Sequence, residues 1–172
     1  MTRLDRLVAS GVPDDEAVAA VLPSAERLAK GPVAVIECFQ EIPCDPCAAA
    51  CPRGAILPFG DIKDLPSIDH ELCNGCANCV VKCPGLAIFV IDVSSGGDRV
   101  IIKMPYEYLP LPRRDQEVWG LDRSGKRVAK VKVLRVQRPA AFDRTALLTI
   151  EVPASEVHNV RGIAPPAGGD DR

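Results

Sequence analysis

Eight cysteines are crowded between Cys38 and Cys83, and the rest of the 172-residue chain has none. They fall into two runs. Cys38, Cys44, Cys47 and Cys51 are followed by Pro52, and Cys73, Cys76, Cys79 and Cys83 are followed by Pro84. The second run reads C-x2-C-x2-C-x3-C-P; the first keeps the C-x2-C-x3-C-P end but opens with a five-residue gap, residues 39–43. Cys44, Cys47 and Cys51 each lie 32 residues before Cys76, Cys79 and Cys83, and the stretch after each proline repeats, Arg53-Gly54-Ala55-Ile56 against Gly85-Leu86-Ala87-Ile88. A duplication of this kind implies two similar half-units packed together.

Cysteine thiolates are soft, strong metal ligands. The N-terminus, Met1-Thr2-Arg3-Leu4-Asp5-Arg6, has no apolar signal region, so metal ligation in the reducing cytoplasm is expected rather than a disulfide framework. The spacing of the second run is the one that holds 4Fe-4S clusters, each iron taking one thiolate. Two-residue gaps let the backbone wrap one face of a cluster, and the x3 step begins a short helix that carries its last cysteine to the other cluster. On that reading Cys38, Cys44, Cys47 and Cys83 hold cluster one, and Cys73, Cys76, Cys79 and Cys51 hold cluster two. Zinc is the competing reading, but its structural sites favour two C-x2-C pairs set well apart. The long gap after Cys38 leaves two outcomes open. Either the strand-like residues 33–37 deliver it as a fourth ligand, or it stays free and its cluster holds three irons or a labile fourth one.

Residues 33–92 resemble a bacterial two-4Fe-4S ferredoxin. The resemblance implies a pseudo-symmetric fold of two strand–helix–strand units, with residues 87–91 as the closing strand. A wider resemblance rests on Ile36-Glu37-Cys38-Phe39-Gln40-Glu41-Ile42-Pro43-Cys44, with Leu22-Pro23-Ser24 and Lys30-Gly31-Pro32 upstream. These pieces are similar to the small iron–sulfur subunits of flavin-dependent amine or amino-acid dehydrogenases. That resemblance implies a hetero-oligomer in which a flavoprotein dehydrogenase partner carries the flavin and this chain relays single electrons.

Other elements must position the cysteines. Residues 1–32 read as a helical arm: Pro13-Asp14-Asp15-Glu16 is a helix start, followed by apolar Ala17, Val18, Val21 and Leu22, and residues 24–30 form a second short helix before Gly31. Ser94-Ser95-Gly96-Gly97 makes residues 93–97 a turn or linker. Beyond it the chain reads as strands. Asp122-Arg123-Ser124-Gly125 marks a hairpin turn between residues 117–121 and 127–136, and Ala146, Leu148, Ile150 and Val152 share one face of a later strand. The parity of apolar residues switches between Val133 and Leu134, which predicts a β-bulge. The expected fold class is α+β: helical arm 1–32, ferredoxin-like domain 33–92, linker 93–97, small β-barrel 98–163 and disordered tail 164–172.

Composition narrows the function further. Residues 1–92 carry a net charge of −6 and residues 93–172 one of +4, so the basic half suits either the acidic half or an acidic partner. Only seven aromatics are present and none interleaves with Lys126, Lys130, Lys132, Arg135 and Arg138, which disfavours nucleic-acid binding. No apolar run exceeds six residues, so no membrane span is expected. No G-x-G-x-x-G or P-loop motif is present, and neither His70 nor His158 sits in a catalytic motif. The expected role is therefore non-catalytic electron transfer within an oxidoreductase complex, a free ferredoxin-like carrier being the alternative.

Overall fold

The computed structural model describes residues 3–166. Three short helices open the chain, each stopped by its own local chemistry. Helix α1 (Arg3–Ser10) ends at Gly11, whose φ of +69° lets its N–H turn back to the Leu7 carbonyl. Helix α2 (Asp15–Val21) is capped by the Asp14 carboxylate, which accepts from Ala17 N–H at 2.9 Å. Helix α3 (Ala25–Ala29) is capped by the Ser24 hydroxyl, which accepts from Arg27 N–H at 3.2 Å. Val21, Leu22 and Leu28 pack against the main core. Without that packing, helices this short would not persist in water. None of the helices among the described residues is long and apolar enough to cross a membrane.

Seven strands follow: β1 (Val33–Ile36), β2 (Ile88–Asp92), β3 (Arg99–Tyr106), β4 (Glu117–Leu121), β5 (Arg127–Gln137), β6 (Ala146–Pro153) and β7 (Gly162–Ile163). Two one-turn helices, α4 (Pro46–Ala49) and α5 (Asn78–Lys82), lie between β1 and β2. The strands form one antiparallel sheet in the order β1-β2-β3-β6-β5-β4-β7. The period-two alternation of strand side chains divides β1 between two cores. Val33 and Val35 join Ile91, Ile102, Val133 and Ile150 in one; Ala34 and Ile36 join Val80, Ile88, Val90, Cys47 and Cys79 in the other. With both faces covered, β1 is apolar at every position and wholly buried. Each such Val or Ile contributes ~1.5–3 kcal/mol by leaving water.

The C-terminal strands do not make the small β-barrel expected over 98–163. Residues 93–97 are the turn of a hairpin: β2 pairs with β3, Val90 opposite Lys103 and Asp92 opposite Ile101. The edge of β3 that a closing strand would need is therefore taken by a strand of the cysteine-bearing half, and the sheet runs on as a single open surface. Its two edges are β1 and the two-residue β7. The register of β5 against β6 does shift between Val133 and Arg135, so the bulge at Leu134 exists and bends the strand without closing the sheet. Side chains span the gap between the edges instead. Glu37, just after β1, is paired with Arg161, just before β7, and with Arg123 in the β4–β5 turn.

Of the expected tail at 164–172, residues 167–172 lie outside the described residues, while Ala164 N–H donates to the Trp119 carbonyl at 2.8 Å. On the basic strand β5 an aromatic does approach: Trp119 of β4 lies opposite Lys130, with Lys130 Nζ 4.5 Å and the Arg127 guanidinium 5.8 Å from its ring centre. The ring is thus already engaged by the chain's own cations.

Candidate metal centre

The two cysteine runs trade their last members. Cys38, just beyond β1, Cys44 in the following loop and Cys47 in α4 line a small cavity together with Cys83, which caps the C-terminus of α5. Cys73, Cys76 and Cys79 line a second cavity together with Cys51, which follows α4. Cys47 and Cys79 are buried, Cys76 is exposed and the other five are half-buried. Among the described residues, no three His, Cys, Asp or Glu side chains converge tightly enough to hold one metal ion.

Backbone turns aim the sulfurs. Glu37 N–H donates to the Ala87 carbonyl at 2.8 Å, extending the β1–β2 ladder to the threshold of Cys38, and Cys44 N–H donates to Ile62 carbonyl at 3.1 Å. The loops after the two prolines match each other. Gly54 N–H returns to the Cys51 carbonyl and Leu86 N–H to the Cys83 carbonyl, both at 3.2 Å, and both residues have positive φ, +61° and +51°. Amide groups point at sulfur, Ala34 N–H to Cys73 Sγ and Ala87 N–H to Cys83 Sγ, each at 3.4 Å. The second strand pair that a ferredoxin resemblance implies is reduced to a single bridge, Ile56 opposite Ile68.

The electrostatics of the thiols follow from this crowding. Burial first, and then the neighbouring Cys83 and Cys44, push the Cys38 thiol up. Cys44 rises by burial, by Cys83 and by Asp45 beside it. Cys79 is pushed up to about 12 by burial and by Cys73, Cys76 and Cys51. Cys51 goes the other way: burial opposes its ionisation, but N–H groups of Ile56, Arg53, Ala55 and Gly54 outweigh it and lower its pKa. Like charges confined together disfavour one another, which is why the neighbouring cysteines add to burial in raising Cys38, Cys44 and Cys79.

Each cavity is braced by a buried charge that the sequence did not single out. Glu37, its side chain 7% exposed, accepts from Arg123 Nε at 2.8 Å and Nη2 at 2.6 Å and from Arg161 Nε at 2.6 Å. Burial disfavours its charge, but the two guanidiniums hold its carboxyl below the usual range. Arg161, 4% exposed, also lies 5.0 Å from the Phe89 ring centre. On the other side Arg27, 6% exposed, donates from Nε to His70 carbonyl (2.6 Å), from Nη1 to Gly31 carbonyl (3.1 Å), and from Nη2 to the carbonyls of Pro32 (3.1 Å) and Cys73 (2.6 Å). Lys103 Nζ holds the Gly75 carbonyl at 2.8 Å. His70 is half-buried above Arg27, and burial and that cation lower its pKa. His158 is likewise lowered, by burial and by Arg161 and Arg123.

The family model described as "4Fe-4S binding domain" matches residues 66–89. The chain therefore carries an iron–sulfur binding region around its second cysteine run. Over 39 residues it is 46% identical to a Proteus vulgaris protein named as a probable iron–sulfur subunit of the Frd operon, an overlap covering 23% of this chain and 23% of that protein. The chain thus matches less than a quarter of that relative's length. No solved structure matches.

Proposed function

We propose that this chain is an electron-transfer subunit holding two 4Fe-4S clusters, one in each four-cysteine cavity, and that it serves a flavoprotein dehydrogenase whose flavin sits on another polypeptide. The observation that carries this reading is the exchange of Cys51 and Cys83 between the cavities, which yields four thiols around each. A cluster with four cysteine ligands supplies one-electron transfer and leaves no iron open to substrate. A zinc ion would need all four sulfurs at about 2.3 Å from one centre and is usually held by two well-separated C-x2-C pairs, whereas the C-x2-C-x2-C-x3-C-P spacing of the second run is that of a 4Fe-4S cluster, which takes one sulfur at each iron. In this reading Cys38, Cys44, Cys47 and Cys83 hold the first cluster and Cys73, Cys76, Cys79 and Cys51 the second. The amides of Ala34 and Ala87 then donate to ligand sulfurs, and Ile36, Ile88 and Val90 keep water from the inner faces. The similarity to a protein named for an iron–sulfur role in a complex, and the absence of nucleotide- or flavin-binding motifs in this chain, support a complex component over a self-contained enzyme.

The test is anaerobic purification of the tagged chain from its native host, with iron, acid-labile sulfide and flavin measured in the eluate. About eight irons and eight sulfides per chain, with flavin on a co-purifying polypeptide, is the expected result. About four irons would reduce the reading to one cluster, and zinc would replace it. Eight irons with neither flavin nor partner would make the chain a free carrier.

A further inference from the structure

Resting on the two-cluster reading, we propose that the cavity of Cys51, Cys73, Cys76 and Cys79 is the higher-potential of the two, and that the buried Arg27 guanidinium sets it so. All four acceptors of Arg27 are neutral backbone carbonyls, one of them that of Cys73 itself. Among the described residues no carboxylate lies at ion-pair distance from it. The nearby Glu71 is engaged by Lys30 at 2.8 Å, and the Asp69 carboxylate accepts from Glu71 N–H. Among those residues the charge is buried and uncompensated, and it is hydrogen-bonded to the backbone of a cysteine whose sulfur lines the cavity. Lys103, with no carboxylate at ion-pair distance among the described residues, adds a second cation on the carbonyl of Gly75, inside the same cysteine loop.

The walls of the two cavities point the same way. Arg53 lines the second cavity and no acid does; Asp64 lines the first and no base does. Near the first cavity, Arg123 and Arg161 share the single Glu37 carboxylate, a trio of net charge +1, but the carbonyls Arg161 also reaches are those of Val157 and Val160 rather than of a cysteine. Lys82, beside Cys83, is exposed and donates to the Ala141 carbonyl at 3.0 Å, and Asp45 stands next to Cys44. Reduction adds one negative charge to a cluster. A cation held nearby in a poorly screened interior favours that charge, and a carboxylate opposes it. The first electron to enter would then rest in the second cavity, and the pair would form a wire with a built-in downhill direction.

The experiment is a redox titration of the iron-loaded chain, in whatever complex it purifies in, followed by electron paramagnetic resonance. Wild type, Arg27→Met, Arg27→Lys and Lys103→Met are compared, with iron and sulfide counted in each sample. Two steps are expected in wild type. Arg27→Met should move the upper step down by at least a tenfold change in the oxidised-to-reduced ratio, about 59 mV for one electron, and leave the lower step in place. Arg27→Lys, which keeps the charge but loses the fork, should stay near wild type. Lys103→Met should move the upper step down by less, and it carries the test if Arg27→Met does not assemble. A single unsplit step in wild type, a shift in the lower step, no shift in either neutral variant, or equal effects of Met and Lys at position 27 would each overturn the inference. An iron count of about four in wild type would instead bring down the two-cluster reading, and the ordering with it.

Discussion

Beside Cys38 the bracing group is a carboxylate, Glu37, and its partners Arg123 and Arg161 come from the C-terminal half of the chain. Behind Cys73 the bracing group is a guanidinium, Arg27, from the N-terminal helices, and its partners are backbone carbonyls. A repeated sequence thus yields two cavities secured from opposite ends of the chain and by opposite chemistries. At the first, one carboxylate is shared side chain to side chain by two guanidiniums, so the cavity depends on the far edge of the sheet arriving in the right place. At the second, a cation spreads its donors over four peptide carbonyls and keeps its charge. Each brace keeps one net positive charge, but only the second sets it on the backbone of a cysteine whose sulfur lines a cavity.

The largest effect that could break this comparison is at the exchanged cysteines. Cys51→Ala should lower bound iron from about eight to about four per chain, and the spectroscopic signal it removes should be the one that Cys79→Ala removes. Cys83→Ala should remove the other, together with Cys47→Ala. If Cys51→Ala and Cys47→Ala removed the same signal, the two runs would each hold their own cluster and the exchange would be wrong.

Next in size is Glu37→Gln, which leaves two guanidiniums side by side in a buried setting with no anion between them. Removing one partner from a buried ion pair costs about 3–5 kcal/mol. The denaturant midpoint of the iron-loaded chain should fall accordingly, and iron should leave the first cavity before the second. A loss below about 1 kcal/mol would mean that water reaches the cluster of charges, as at exposed pairs, and the Glu37 brace would not be what secures the first cavity.

How much of this was legible beforehand divides along the same lines. Local chemistry could be read directly: the Asp122 carboxylate accepts from Ser124 and Lys126 N–H to close the turn expected there, and the parity switch at Leu134 marks a real shift of register. The cysteines stood out because ligand spacing is a local property. The continuity of the sheet did not, because Ser94-Ser95-Gly96-Gly97 serves equally as a linker or as a hairpin turn, and only the pairing of β2 with β3 decides between them. Hence the barrel expected from 98–163 gave way to an open seven-stranded sheet. The braces were invisible for a similar reason. Arg27 looks like any helix-surface arginine until carbonyls 43 and 46 residues away, at His70 and Cys73, close over it.

A smaller prediction sharpens the account of the second cavity. Gly75 has a φ of +66°, and a Cβ there would lie 2.5 Å from Pro32 Cβ and 2.9 Å from the Pro32 carbonyl carbon. That carbonyl is itself fixed by Arg27, so the obstruction is backbone that is held in place. Gly75→Ala combines left-handed strain with overpacking and should cost about 2–4 kcal/mol, read from thermal unfolding of the iron-loaded chain. A loss under about 1 kcal/mol would show that the loop shifts away from Pro32 freely, and that Arg27 does not hold it.

Gly54 provides the measure against which that number has meaning. Its φ is +61°, but a Cβ there meets nothing within 4 Å. Its counterpart in the repeat, 32 residues on, is Leu86, which already carries a side chain at a φ of +51°. Gly54→Ala should therefore cost only the backbone strain, about 1 kcal/mol, and leave the iron content unchanged. The difference between the two glycine substitutions isolates the contact with Pro32, because both share the left-handed conformation and the same added methyl group. If the two variants lost the same stability, the Pro32 contact would contribute nothing, and the second cavity would owe its firmness to Arg27 and Lys103 alone. If Gly54→Ala lost more, the strain would lie in the turn that presents the amides of residues 53–56 to Cys51, so that the ligand handed across between the cavities would be the most finely positioned of the eight.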